Sequence, residues 1–188
     1  MTKFLTTILL CATFLLSCSN NDKQRKVDLT KDTTSSTITK LNDNYTLARI
    51  SYLKLDKDSV TVLPFEIEVS LNAKAKDKII NGNETIIINV TLTGTPKDTT
   101  LFSEDGQFYV ASSEKEITYG QVARFDNIKF SKKTFDQLTD KDVYVTAFVY
   151  SGRKSSPDNL LDCNIVADSI SNVVNKKFTI TGKLIGDD

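Results

Sequence analysis

From Thr46 almost to the C-terminus apolar side chains recur at every second residue, and helical periodicity is nearly missing. Phe65, Ile67, Val69 and Leu71 alternate with Glu66, Glu68 and Ser70, and Ile86, Ile88, Val90 and Leu92 alternate with Ile87, Asn89 and Thr91. Both runs predict half-buried strands. Val143, Val145, Ala147 and Val149 oppose Tyr144, Thr146, Phe148 and Tyr150, a run apolar on both faces that predicts an inner strand, and Phe178, Ile180, Gly182 and Leu184 form a last one. Less regular strands are expected over residues 46–55, 106–111 and 122–130, where a phase slip at Asp126-Asn127 reads as a bulge. Turn residues punctuate them at Asp56-Lys57-Asp58, Asn81-Gly82-Asn83, Glu104-Asp105-Gly106, Tyr119-Gly120 and Ser151-Gly152. Pro64 has no N–H to give a ladder, which places its strand at an edge or breaks it there. One helical turn is expected over residues 132–138. Roughly seven strands in ~140 residues, with no long helix, predict an all-β fold of two antiparallel sheets packed face to face.

Composition removes several functions. The 188 residues are 39% hydrophobic and 26% charged, proportions that suit one folded domain. Lys plus Arg and Asp plus Glu both total 24, so no field of one sign draws nucleic acid. The chain contains neither His nor Trp. Histidine-dependent triads and most zinc sites are thereby excluded, and no cofactor or metal is expected.

The first residues read as an address. Lys3 is the only charge before an apolar stretch of thirteen residues, Phe4 to Leu16, which is shorter than the ~20 a spanning helix requires. Leu15-Leu16-Ser17-Cys18 resembles the lipobox of bacterial lipoproteins, an exported family. The resemblance implies cleavage before Cys18, a diacylglyceryl group on its thiol and usually an acylated amino terminus, so that the partner of Cys18 is a lipid bilayer. By the sorting rule of enterobacterial lipoproteins, Ser19 rather than Asp after the cysteine favours the outer membrane. Surface lipoproteins of the Bacteroidota resemble one another in an acidic cluster after the cysteine. Ser19-Asn20-Asn21-Asp22-Lys23 offers one acid, which leaves the exposed face open.

The expected organisation is a signal peptide over residues 1–17, a lipidated N-terminus and tether over residues 18–45, and a sandwich domain over residues 46–188. Loss of the peptide leaves 23 bases against 24 acids, since of the 24 bases only Lys3 departs. Of three cysteines Cys11 leaves and Cys18 carries lipid, so Cys163 has no intramolecular disulfide partner and reads as a small buried hydrophobe. Ser19 to Asn44 is rich in Thr, Ser, Lys, Asp and Asn and predicts a tether with an end-to-end distance of about 30 Å.

Two segments carry a further resemblance. Asp140-Lys141-Asp142-Val143-Tyr144-Val145-Thr146 resembles the tyrosine corner of immunoglobulin-like domains, and residues 120–128 resemble strand E of bacterial immunoglobulin-like adhesion modules. The likeness implies an immunoglobulin-like β-sandwich in which Tyr144 bonds the backbone and Thr146 stands where that family has a cysteine. The family's core Trp and disulfide are missing.

Catalytic signals are sparse. Ser-x-x-Lys occurs at Ser51/Lys54, Ser112/Lys115 and Ser151/Lys154 without the companion elements of β-lactamase-like enzymes. The seven glycines assemble no phosphate-binding loop, and nothing selects a catalytic pair among the acids. Asp56 with Asp58, or Asp136 with Asp140 and Asp142, are better read as solvated turn acids than as calcium ligands. Asp32-Thr33-Thr34, Asp58-Ser59-Val60, Asp98-Thr99-Thr100 and Asp168-Ser169-Ile170 resemble the O-glycosylation signal of exported Bacteroidota proteins.

The expected function is therefore non-enzymatic: a lipid-anchored binding or scaffolding module of the cell envelope, with contact through residues 151–162 or an edge near Pro64. The alternative is a glycan-binding accessory lipoprotein of a nutrient-uptake system, for which Tyr45, Tyr109, Tyr119 or Tyr150 would have to be exposed together. An envelope hydrolase stands third and requires a pocket with a perturbed carboxylate or lysine.

Overall fold

The computed structural model describes residues 50–187. The expected signal peptide, Cys18, the tether and Tyr45 lie outside the described residues. Within them eleven strands run in chain order: β1 Leu53–Leu55, β2 Ser59–Val62, β3 Phe65–Leu71, β4 Ile86–Gly94, β5 Phe108–Ile117, β6 Val122–Phe125, β7 Lys129–Ser131, β8 Tyr144–Ser151, β9 Leu161–Cys163, β10 Val166–Ser169 and β11 Lys177–Leu184. The helices are short: α1 Ala73–Asn81, α2 Lys132–Gln137, α3 Ile170–Val173 and a 3-10 turn, Thr99–Leu101. None is long and apolar enough to cross a membrane.

The fold is all-β and sandwich-like. One four-stranded sheet has the order β10-β8-β4-β5, a second β6-β3-β11-β9, and a three-stranded sheet β1-β2-β7 adjoins them. Alternation decides which face of each strand is inside. Ile86, Ile88, Val90 and Leu92 of β4, Val145 and Ala147 of β8, Phe65 and Ile67 of β3, and Ile180 of β11 are buried in one hydrophobic cluster. The Phe65 and Phe125 rings stack within it at 5.3 Å between centroids. As predicted, β8 is an inner strand, bonded to β4 and β10.

Three details differ from the sequence reading. The first lies in the chain facing Pro64; at Pro64 itself the strand breaks, the second of its two expected outcomes, and β3 is no edge because it lies between β6 and β11. Pro64 sits at a corner, where β2 belongs to the three-stranded sheet and β3 to its four-stranded neighbour. The facing segment turns the same corner, so the slip at Asp126-Asn127 is no bulge: β6 pairs with β3, and β7 pairs with β2. Register is unbroken across the bend, with Phe65 opposite Phe125, Thr61 opposite Lys129, and Val62 N–H donating to Ile128 O at 3.0 Å. A residue without a donor costs nothing where the ladder must open to bend.

The second difference is a parallel pair, β3 with β11, in a sandwich expected to be antiparallel. Asn175 N–H donates to Pro64 O and Glu66 N–H to Lys176 O, so both strands enter the sheet from the same end. The third is α1, which periodicity missed because only Ala75 and Ile79 are buried on it. Its punctuation was present in the sequence. Asn72 caps it by accepting from Ala75 N–H at 2.8 Å, and Gly82 N–H closes it on Lys78 O.

Candidate functional site

The sheet β10-β8-β4-β5 has one face in the core and the other toward solvent. Because side chains alternate, the outer face is made of rows that cross the strands. Glu116, Ile87 and Tyr150 form one row; Glu114, Asn89 and Phe148 the next; then Ser112, Thr91 and Thr146; then Tyr109, Thr93 and Tyr144. Phe148 is 43% exposed and Ile165, which leads into β10 beside it, is 53% exposed. A register shift between Leu92 and Thr93 brings Tyr109 onto this face.

Hydrogen bonds fix two of the rings on this face, the part-buried Tyr150 and the exposed Tyr109. Tyr150 Oη donates to Glu114 Oε2 at 2.6 Å, and Tyr109 Oη donates to Asp105 Oδ2 at 2.5 Å. Each phenol is held above its ordinary pKa by the carboxylate that accepts its proton. Donation from Ser103 Oγ, and then from Tyr109, lowers the pKa of Asp105. The two phenols are therefore held as donors and Asp105 as an acceptor across the neutral range.

One end of the face is closed by the loop after β8, and a carboxylate built beneath it sets the loop's shape. Glu84 is only 4% exposed, covered by the loop itself. Its Oε1 accepts from the N–H groups of Thr85 and Lys154, and its Oε2 from the N–H and Oγ of Ser155 at 2.7 Å. Burial pushes its pKa up, but these four donors outweigh burial and hold it down at about 2. Ser151 and Asn159 pin the rest, since Asn159 Oδ1 accepts from Ser151 N–H and Ser151 Oγ accepts from Leu160 N–H. Gly152 is required at the bend, because a Cβ there would overlap Thr85 Oγ1. On the surface Lys154 Nζ reaches Glu116 at 2.6 Å.

The structure redistributes the sequence-predicted sites. Cys18 lies outside the described residues. Tyr144 forms no corner: it is 50% exposed, and its hydroxyl makes no hydrogen bond among the described residues. The position before β8 is tied instead through Asp142, whose Oδ1 accepts from Val143 N–H, Ser169 Oγ and the buried Tyr52 Oη. Ser112 and Lys115 are three apart on one strand and point to opposite faces, while buried Ser151 is turned to Asn159 and Lys154 to Glu116. No Ser-Lys pair is assembled at either position. Asp136 is bonded to Lys132, and among the described residues no group of three or more His, Cys, Asp or Glu is placed to hold a metal. Of the glycosylation-like motifs, Thr99 is exposed, whereas Ser59 and Ser169 are part-buried in strands. Sequence reasoning missed Phe148, Ile165 and Glu84; the first two were hidden by an apolar pattern that looks the same on a covered face.

Cys163 is half-buried, and burial, then the charge of Asp162, push its thiol up to about 11. It faces Gly182 across the β9–β11 ladder, and its Sγ occupies the space a Gly182 Cβ would need. Gly182→Ala is expected to destabilise the protein by ~1–3 kcal/mol in urea unfolding, and Cys163→Ala to restore most of that loss in the double variant.

Comparison with protein-family models, curated proteins and solved structures found no match.

Proposed function

We propose that this chain is a non-enzymatic, lipid-anchored binding module of the bacterial cell envelope, presented on a tether at the outer membrane. The lipobox-like Leu15-Leu16-Ser17-Cys18 and the polar stretch behind it support the anchoring. One observation carries the binding role: Phe148 and Ile165 are both large, apolar and about half exposed, and Ile165 directly precedes Val166, which pairs with Ala147 next to Phe148. Ile87 joins them from β4, and the Glu84-braced loop borders the patch. A rigid sheet carrying a small apolar centre within a polar rim suits protein–protein contact or adhesion.

A photoreactive amino acid at position 148 tests this in intact cells. We expect one discrete protein adduct, lost when Ile165→Asp is added, and none from position 80, where the exposed Ile80 lies on α1 away from the face. Similar diffuse adducts from both positions would count against a built interface.

A further inference from the structure

The far end of the same face has a different chemistry. Tyr109 and Tyr144 are 53% and 50% exposed, occupy one row, and are separated by Thr93. Two strand spacings set them about 9–10 Å apart, roughly the length of two linked hexose rings. We propose that Tyr109 and Tyr144, with Asn89, Thr91, Thr93 and Ser112 beside them, bind a neutral glycan chain laid across β5, β4 and β8.

Preorganisation is the first argument. The Tyr109 ring gains little from burial, yet its hydroxyl is held by Asp105. Asp105 is itself fixed, because it accepts from Ser103 Oγ and Gln107 N–H around a turn at Gly106, whose φ is 76°. Ordering an exposed ring costs conformational entropy that core packing does not offset here. The same ordering removes that cost from a binding step that stacks a ring on it.

The groups between the aromatics are the second argument. Thr91 Oγ1 donates to Asn89 Oδ1, and Asn89 Nδ2 to Glu114, while the hydroxyls of Thr93 and Ser112 make no hydrogen bond among the described residues. A depression of about 450 Å³ is lined by Asn89, Thr91 and Ser112 together with Tyr109, Val110 and Ala111. A pyranose has an apolar C–H face to lay on an aromatic ring and a rim of hydroxyls that both donate and accept.

Charge completes the assignment. The carboxylates bordering these rows, Asp105 and Glu114, accept hydroxyl donors and repel phosphate, sulfate and uronate. No base stands on the three rows that the proposed binding residues occupy. A protein partner would require a continuous apolar centre, whereas Thr93 interrupts this one.

The inference deepens the binding-module reading, yet its test is independent of membrane attachment. Full-length protein in a detergent without a sugar headgroup would be run in native gels containing hydroxyethylcellulose, galactomannan, xylan or laminarin. Retardation by at least one is expected, with Kd raised at least tenfold by Tyr109→Ala and by Tyr144→Ala and unchanged by Ile185→Ala. Both tyrosines are exposed, so unaltered melting curves should accompany the loss. Tyr109→Phe, which frees the ring from Asp105 but keeps its face, should weaken binding by only a few fold. No retardation by any of the four, retardation indifferent to Tyr109→Ala, or retardation by dextran sulfate alone would overturn the proposal. So would an envelope protein released from the face by Tyr109→Ala while no polysaccharide binds.

Discussion

Cys18→Ala is expected to abolish labelling by radioactive palmitate and to move the protein from the membrane pellet to the soluble fraction. Each methylene placed in a bilayer contributes ~0.8 kcal/mol; one acyl chain holds marginally, and two or three hold for practical purposes permanently. The change is therefore near all-or-none: from almost all of the protein in the pellet to less than about a tenth of it. Among the described residues no helix is long and apolar enough to span, and the Cys163 thiol is half-buried with its pKa raised to about 11. Cys11→Ala, within the segment expected to be removed, should leave label and fractionation unchanged. Unchanged labelling of Cys18→Ala would end the lipoprotein assignment and the outer-membrane location inferred from it. The apolar patch at Phe148 and the tyrosine row would keep their own tests.

Much of the architecture could be read directly from alternation. β3, β4, β8 and β11 coincide with runs in which apolar residues recur at period two, because a half-buried strand writes that period into its sequence. Where the physical cause is not periodic, the reading fails. The corner at Pro64 and Asp126 involves two segments 62 residues apart, and a break in phase does not say whether a strand bulges or changes sheet. α1 presents only two buried positions, too narrow a stripe to stand out from its lysines. The outer face was illegible for a related reason. Tyr144, Phe148 and Tyr150 alternate with buried valines in the manner of a strand covered on both sides, and only the three-dimensional arrangement leaves their face open. Glu84 gave no signal, because three of its four donors are the backbone N–H groups of residues 85, 154 and 155, which have no sequence signature.

Glu84→Gln should lower stability by about 2–3 kcal/mol at pH 7, or roughly 6–12 °C in melting temperature. The amide keeps one acceptor oxygen and sets an NH₂ against donors that now face a carboxylate oxygen, leaving N–H groups of the loop unsatisfied under a covered surface. The sign of the pH dependence follows from the direction of the shift. Folding lowers the Glu84 pKa from 4.5 to about 2, so the carboxylate's contribution is fully present above pH 4.5, declines as the pH falls, and is gone below about 2. Glu84→Gln has no such titration. The difference in melting temperature between it and the wild type should therefore shrink as the pH is lowered from 5 toward 2, while the absolute stability of both falls for other reasons. Amide exchange at Lys154 and Ser155 should accelerate before global unfolding in the variant, because Glu84 closes the loop locally. Glu116→Gln, whose amide oxygen still accepts from Thr85 Oγ1 and which loses only the charge opposite the exposed Lys154, should have a much smaller effect on melting and leave those amides protected. A penalty for Glu84→Gln that is the same at pH 2 and pH 7 would show that packing of the side chain, rather than its charge, holds the loop.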